Sequence, residues 1–578
     1  MRILRNGLTG LDDPGAFDLV VIGAGGAGMA AALFAAMEGA SVLLVERTEY
    51  VGGTTAWSAG TSWLPGSRHS AKVNPNDTLA ETARYLDNAV GERSPRAIRQ
   101  AFLDNSPAAV DEVEERSELK YRPYPKHPDY ISDLGGSTWN GRALEPVPFD
   151  GRLLGHELFG LLRPPIPEFT VLGGMMVDRT DINHLLAMTK SWASLQHAVK
   201  ILVRHALDRL AWPRGTRLVM GSAHVARLLY SLSKREKVTI AMDTTVERVV
   251  RGGQGIERVE LLSHGTRRTV KVNKGLVLAS GGFNRHPELR AQMLPGVPAE
   301  WSPAAPGHTG QAHDLARHVG AVYGQGGLSH AFWAPVSMRK RADGSTAVFP
   351  HFVMDRAKPG MITVNANGER FLNESTSYHL FGLAMQQAHQ SAPSIPAYLV
   401  CDAEALRKYG IGMVRPGGKG LAPFLADGYL TEATTLAALA GKLGMNAQAL
   451  QRSVAQINRC AEEGTDPHFH RGETAYQQNL GDPMWAGKNP NLGPIKTAPF
   501  YAVRLYPGDI GASTGLATNE HAQVLTADGS AITGLYAVGN DMHSIMGGTY
   551  PAPGITIGPG LVFARIAARH AMSRGQPG

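Results

Sequence analysis

The chain has 578 residues, 43% of them hydrophobic, with 67 glycines and two cysteines. That suits an α/β enzyme of two or three domains and speaks against a disulfide-stapled scaffold. The formal charge of +7 is moderately basic, but no nucleic-acid-binding module accompanies it, and nucleic acid is not an expected partner. No uninterrupted apolar run approaches the roughly 18 residues of a membrane-spanning helix. The first seventeen residues are too polar for a secretory signal, so a reducing, cytoplasmic setting is expected. Cys401, Cys460 and the pair His468/His470 have no familiar ligand spacing, and no metal is expected.

In chain order, the first strong element is the apolar strand Leu19–Ile22, which runs into Gly23-Ala-Gly25-Gly26-Ala-Gly28. An alanine-rich helix from about Gly28 to Met37 follows, then a strand from Ser41 to Val45 that ends in Glu46, eighteen residues past Gly28. This is a dinucleotide-binding unit in its full context. Gly23 permits the tight turn, Gly25 lets backbone approach a pyrophosphate, and Gly28 lets the helix pack on the strand. The helix N-terminus offers free N–H groups to phosphate, and Glu46 is set to accept from a ribose hydroxyl.

Next comes Val51-Gly52-Gly53-Thr54-Thr55-Ala-Trp-Ser58-Ala59-Gly60, a run of small and hydroxyl residues against which a wide, flat ligand can lie. It resembles the flavin-contacting loop of the fumarate reductase and succinate dehydrogenase flavoprotein superfamily, as does Lys274-Gly-Leu-Val-Leu-Ala-Ser280-Gly281-Gly282-Phe. The C-terminal Gly534-Leu-Tyr-Ala-Val-Gly539-Asn540 reads as a buried strand entering a glycine-rich turn. The resemblance implies FAD rather than NAD, with contacts from these segments and from Arg47, Val246, Gly554, Thr556 and Ile557. The Gly52–Gly60 loop lacks histidine and cysteine, so the flavin is expected to be non-covalent.

Asp77–Val90 reads as a helix, and the Pro-, Gly- and Tyr-rich stretch Tyr121–Phe149 as a pocket-shaping loop. An insertion spans about 152–220. Within it, His184–Trp212 has Leu185, Met188, Trp192, Leu195, Val199, Leu202 and Ala206 at helical spacing, with Lys190, His197, Lys200 and Arg204 roughly opposite. A basic amphipathic helix with two tryptophans suits either an anionic membrane surface or packing on its own domain. Strand signals resume at Val238–Ile240 and Val246–Val250. The expected fold is thus α/β: a discontinuous Rossmann-like FAD-binding domain (1–329 and 490–578) carrying the helical insertion, with an inserted α+β catalytic domain (330–489).

The segment Gly547-Gly-Thr-Tyr550-Pro-Ala-Pro-Gly554-Ile-Thr-Ile-Gly-Pro resembles the 3-ketosteroid Δ1-dehydrogenases. Pro128-Asp-Tyr130, Gly135-Gly136, Phe332-Trp-Ala-Pro335 and Gly368-Glu-Arg-Phe-Leu-Asn-Glu374-Ser-Thr-Ser-Tyr378 agree with that family. The resemblance runs from about Phe17 to His570. It implies a 3-ketosteroid substrate that loses a C2 proton and a C1 hydride, the latter to flavin N5. It assigns Tyr550 and the Gly554 N–H to the C3 carbonyl, Tyr378 to the C2 proton, and Tyr130 to the support of Tyr378. Tyr124 is the nearby alternative to Tyr130, and His127 is close enough to contribute. Tyrosine is a poor base at its reference pKa of about 10, so the phenolate needs a hydroxyl neighbour and a positive environment. An external electron acceptor, a quinone or a dye, is expected as a further partner. Three other readings stand beside this one. A 3-ketosteroid Δ4-(5α)-dehydrogenase would differ mainly at Tyr378 and Tyr130. A fumarate reductase-like enzyme would need histidine and arginine in the loop Asp509–Leu516, which has neither. A non-catalytic flavin-binding protein would dispense with the tyrosines. The oligomeric state and the steroid's C17 substituent are not set by these patterns.

Overall fold

Strands from the two ends of the chain meet in one nine-stranded sheet. The structure, a computed structural model, describes residues 1–5 and 7–574. Gly15–Ile22 pairs in parallel with Val42–Val45 on one side and with Thr266–Leu278 on the other. The last turn of Thr266–Leu278 also pairs in parallel with Ala531–Ala537, with Leu276 opposite Leu535 and Leu278 opposite Ala537. These strands are buried on both faces, which is why they read as continuous apolar runs rather than as alternation. The N-terminal half of Thr266–Leu278 instead joins an antiparallel hairpin with Gly255–Ser263 and Thr245–Gly252.

The helix Gly26–Met37, predicted to start at about Gly28, begins directly after the first glycines, with Gly25 as its N-cap. It is buried almost all round, against Ile557–Ser573 on one side and Met220–Ser233 on the other. Gly28 fits because a Cβ there would lie 1.8 Å from the Gly23 carbonyl oxygen. The helix expected over 77–90 spans Leu79–Ala89, capped by Thr78. The stretch 121–149, expected as a loop, contains the short strands Tyr121–Pro123, Ala143–Pro146 and Phe149–Asp150. Between them the chain is held by Arg142, which is buried and ion-paired to Asp77 at 2.6 Å and to Asp129 at 2.8 Å.

A second, antiparallel sheet runs Thr346–Pro350, Ala331–Lys340, Phe500–Ala512, Ala397–Asp402, Met361–Val364, with Thr431–Ala433 also on Phe500–Ala512. Phe500–Ala512 lies beyond the expected boundary at 490, yet all its strand partners belong to this second sheet. The helix Tyr378–His389 packs on Ala331–Lys340, with Gly382 against Trp333, where a Cβ would come within 2.5 Å of the tryptophan.

The insertion differs from the single helix expected over 184–212. Over this stretch lie two helices, Arg179–Leu186 and Trp192–Ala211, broken at 187–191, where Ser191 caps the second. They fold back on each other so that His184 stacks on His197 at 4.4 Å. The buried Asp181 carboxylate draws His197 (2.8 Å) and Arg217 (2.6 Å) inward. Arg204, expected on a free basic face, instead pairs with Asp150 at 2.8 Å. The inward face of the second helix is small and polar: Ser194, Ala198, His205 and Asp208 are buried with Ile201. Trp192, Val199, Val203, Leu207 and Leu210 face out, with Trp192 72% and Leu210 83% exposed.

Candidate active site

A cavity of ≈ 380 Å³ runs between the two sheets and is lined by both ends of the chain. On the first sheet it is bounded by Gly23, Gly25 and Gly26, by Glu46 and Arg47, and by Gly53, Thr54, Thr55, Ser58, Ala59 and Gly60. Val246, Ser280, Gly281, Gly539, Asn540, Gly554, Thr556 and Ile557 complete that side. Three expected contact residues sit behind the wall instead. Gly28 packs helix on strand, a Cβ on Gly52 would meet Ala56 and Val225, and one on Gly282 would meet Ala512.

The residues suit a flavin dinucleotide. Gly25 caps its helix with no side-chain acceptor, so the first-turn N–H groups are left for an anion. A Cβ on Gly23 would come within 2.3 Å of the Ala279 carbonyl oxygen, so only glycine allows this backbone course. The buried Glu46 is fixed by the Ala24 N–H (3.0 Å) and by the backbone N–H and hydroxyl of Thr48 (2.9 and 2.7 Å). Sequence reasoning missed the segment 303–315, which supplies Ala305, Gly307, His308, Thr309 and Gln311 to the same wall. Its signal was the turn Gly307-His-Thr-Gly310 ahead of the helix Gln311–His318. It also missed Asp541, a buried carboxylate that receives the Ser280 hydroxyl (3.0 Å) and the Gly282 N–H (2.8 Å), and so shapes the double-glycine turn.

At the other end three tyrosines converge. The Tyr130 hydroxyl donates to that of Tyr378 at 3.2 Å. The Tyr550 ring centroid lies 5.8 Å from that of Tyr130 and 5.1 Å from that of Tyr378. All three are buried and line the cavity. Tyr378 is the first residue of its helix, one past the cap Ser377, where the positive end of the helix dipole favours an anion. Gly554 has φ +81°, and a Cβ there would lie 2.4 Å from the Thr61 carbonyl oxygen. Among the described residues no acceptor takes its N–H. Tyr130 is placed by its loop: its N–H donates to the Pro551 carbonyl at 2.7 Å, and the adjacent Asp129 receives the indole N–H of Trp63 at 3.0 Å.

Burial pushes the hydroxyls of Tyr130 and Tyr378 well above the usual tyrosine value. Burial also raises Tyr550, opposed by the hydroxyls of Tyr378 and Thr556. His127 and His379 are both pushed down to about 3 by burial, so they are neutral near the tyrosines. The Tyr124 and His127 rings lie 4.5 Å apart and both line the cavity. However, it is Tyr130 that meets Tyr378. The remaining wall at this end is apolar: Ile166, Phe169, Phe332, Phe352, Val353 and Ile510. Ile166 and Phe169 come from the insertion, so part of it is pocket wall. Among the described residues, the only Arg or Lys side chains on the cavity are Arg47 and Arg163. Arg163 is held at the nucleotide end by the Thr48 hydroxyl at 2.9 Å.

Residues 18–557 match the FAD binding domain family, and the chain belongs to that family. It binds FAD and is an oxidoreductase. It is 35% identical to a 4-oxocyclohex-2-ene-1-carboxylate 5-dehydrogenase of Sinomonas cyclohexanicum, covering 96% of this chain and 93% of that one. It is 34% identical to the 3-oxosteroid 1-dehydrogenase of Mycolicibacterium smegmatis, covering 96% of each. A solved 3-ketosteroid Δ1-dehydrogenase from Sterolibacterium denitrificans, in complex with 1,4-androstadiene-3,17-dione, superposes with a TM-score of 0.89 at 32% identity, covering 97% of this chain and all of that one.

Proposed function

We propose that this protein desaturates the C1–C2 bond of 3-ketosteroids. The observation that carries the reading is the meeting of Tyr130, Tyr378, Tyr550 and the free Gly554 N–H on one apolar-walled cavity. The C2 proton is acidic only while the C3 oxygen can take up negative charge. The Tyr550 hydroxyl and the Gly554 N–H form the donor pair for that oxygen. Tyr378 removes the C2 proton. Once Tyr378 has lost its own proton, Tyr130 is left as the donor to its oxygen, whichever way the resting pair is arranged. FAD, when bound, supplies a two-electron acceptor for the C1 hydride. Its expected non-covalent attachment rests on the loop Gly52–Gly60, which has no histidine or cysteine to form the link. An external quinone or dye closes the turnover.

The Sinomonas relative's substrate is a ring ketone bearing a carboxylate, and the same tyrosine chemistry would serve it. The wall around the tyrosines favours the steroid, because it offers no cation to a carboxylate and is lined by aromatic and aliphatic side chains. Burying an unpaired carboxylate there would be strongly unfavourable. The test is anaerobic mixing of the holoenzyme with androst-4-ene-3,17-dione and, separately, with an oxocyclohexanecarboxylate. Bleaching of the yellow band with loss of two hydrogens from the steroid alone supports the assignment. Reaction with the carboxylate alone overturns it.

The outward face of Trp192–Ala211 supports peripheral attachment to an anionic membrane on its cytoplasmic side. Trp192, Leu195, Val199, Val203, Leu207 and Leu210 form an exposed apolar stripe, with the exposed Lys190 and Lys200 near it. The same insertion walls the cavity through Ile166 and Phe169, which brings an apolar substrate's source close to its site. No described helix is long and apolar enough to cross a membrane, so the contact is interfacial.

A further inference from the structure

Behind the tyrosines lies a cation that the reaction scheme above does not use. Arg356 is fully buried, and among the described residues its guanidinium meets no carboxylate. It donates only to carbonyl oxygens: Glu374 at 2.5 Å and Thr376 at 2.6 Å through Nη1, His351 at 2.9 Å through Nε, and Phe352 at 3.0 Å through Nη2. Two of these contacts bear directly on the base. Thr376 immediately precedes the cap Ser377, and so sits two residues before Tyr378. Phe352 packs its ring edge-on against Tyr378, centroids 4.9 Å apart. The guanidinium lies over the Phe381 ring at 5.4 Å and beside Tyr476, whose ring packs on Tyr130 at 4.6 Å. The Tyr476 hydroxyl is buried with no hydrogen-bond partner among the described residues. It can therefore accept from the fifth guanidinium N–H and turn its own hydrogen toward the cluster.

The other charges nearby are accounted for. Glu374 and Asp466 are offset by Arg370 and Arg471, through contacts of 2.8, 2.8 and 3.1 Å. Asp355 is held down to about 2 against its burial by His351 and by the N–H groups of Gly412 and Arg356. It is thus an anion held by these groups, and its charge also bears on Arg356, whose backbone N–H it accepts at 2.7 Å. Lys358 points to the Leu480 and Gly481 carbonyls. Facing Tyr378 itself are Tyr130, Tyr550 and Phe352, and the neutral His379 faces Tyr550. A guanidinium surrounded by carbonyl dipoles keeps its charge, and its field is weakly screened in a buried site.

We propose that Arg356, with Tyr476 between it and Tyr130, is a positioning residue that both fixes the turn carrying Tyr378 and favours its phenolate. The inference rests on Tyr378 being the base. Tyr378→Phe, run alongside, tests that assignment separately by loss of exchange at every pH. The measurement for Arg356 is exchange of the C2 hydrogen of androst-4-ene-3,17-dione with deuterated water. The holoenzyme is used without an electron acceptor, across pH, with flavin content recorded for each variant. Arg356→Gln removes the charge and should move the midpoint of the exchange profile up by about one pH unit, the low end for a cation that acts without touching the group. Arg356→Lys keeps the charge but loses the two-carbonyl fork. It should exchange more slowly with the wild-type midpoint. Tyr476→Phe keeps the ring packing and removes the hydroxyl, and should raise the midpoint by less than Arg356→Gln does. A purely structural Arg356 would lower the rate in both arginine variants with no shift of midpoint, and that result overturns the proposal. Should Arg356→Gln fail to retain flavin, Tyr476→Phe decides: a raised midpoint upholds the proposal and an unmoved one overturns it.

Discussion

Replacing Tyr550 with phenylalanine removes a single oxygen from the site and leaves nearly everything else in place. The Tyr550 ring is gripped on several sides, by Phe332 at 5.0 Å, Tyr378 at 5.1 Å and Tyr130 at 5.8 Å. The phenylalanine ring keeps those contacts, so fold and flavin content should be unchanged. What is lost is one of the two proposed donors to the substrate's C3 oxygen, in a cavity whose nearby wall is mostly apolar. The Gly554 N–H alone then meets the developing enolate. Loss of one such donor typically removes about 2.7–4 kcal/mol of transition-state stabilisation, or about 10²- to 10³-fold in rate. The donors act more strongly on the enolate than on the ground-state ketone, so the loss should fall mainly on kcat and less on KM. The assay is steady-state turnover with androst-4-ene-3,17-dione and an artificial acceptor, normalised to bound flavin. A variant that keeps more than about a tenth of the wild-type rate would refute the oxyanion role of Tyr550.

Tyr378→Phe should abolish exchange of the C2 hydrogen with deuterated water while binding steroid and flavin; undiminished exchange would move the base elsewhere. Burial holds the Tyr378 hydroxyl well above its usual value, so in wild-type enzyme the exchange rate should climb toward alkaline pH as the phenolate fraction grows. His127 and His379, both near 3, should add no inflection near the usual histidine value of about 6.5, and a histidine-like inflection that disappears in a His379 variant would contradict this. Acid precipitation should release the yellow colour into the supernatant, and flavin retained in the pellet would contradict non-covalent binding. Charge reversal at Lys190 and Lys200 should weaken flotation with anionic liposomes at low salt; reversal at Arg204 should instead act through stability, because Arg204 is paired to Asp150 at 2.8 Å. Wild-type protein that stays free of such liposomes at low salt would remove the membrane reading.

The nucleotide half of the site was legible because its demands fall on backbone. Where a Cβ on Gly23 or Gly28 would strike main-chain oxygen, only glycine is tolerated, and the sequence has to display it. The tyrosines could be found only through resemblance, since a tyrosine in a loop looks the same whether it faces substrate or packing. Asp541 and Arg356 gave no local signal at all. Each acts through contacts more than a few residues away in the chain, Asp541 with Ser280 and Gly282 and Arg356 with Glu374 and Thr376, and a single buried charge has no periodicity to betray it. The insertion's two-helix form and its inward-turned polar face were hidden for a related reason. Helical spacing identified an apolar stripe but could not say which side of the helix faces the protein. The polar face is drawn inward by the buried carboxylates Asp181 and Asp208, leaving the apolar stripe outside.

The geometry also explains why the proposed carbonyl donors, Tyr550 and Gly554, and Tyr130 stay in register although they lie more than 400 residues apart. Pro551 follows Tyr550, and its carbonyl oxygen receives both the Tyr130 N–H at 2.7 Å and the Tyr85 hydroxyl at 2.6 Å. The Tyr85 oxygen in turn accepts the Ile131 N–H at 3.3 Å. Tyr130 is therefore tied at its own backbone to the turn that carries Tyr550, and the next residue is tied to it through one buried phenol. Proline at 551 has no N–H to donate elsewhere, so this residue enters the arrangement purely as an acceptor. On the far side, Gly554 is locked by its positive φ against Thr61, and its carbonyl receives the Trp63 N–H at 3.1 Å. The indole N–H of that same tryptophan reaches Asp129, next to Tyr130. Two closed paths of hydrogen bonds thus join residues 550–554 to residues 129–131 without passing through cofactor or substrate. The spacing between residues 550–554 and the Tyr130–Tyr378 pair is held by protein contacts alone, which is the preorganisation the proposed roles require.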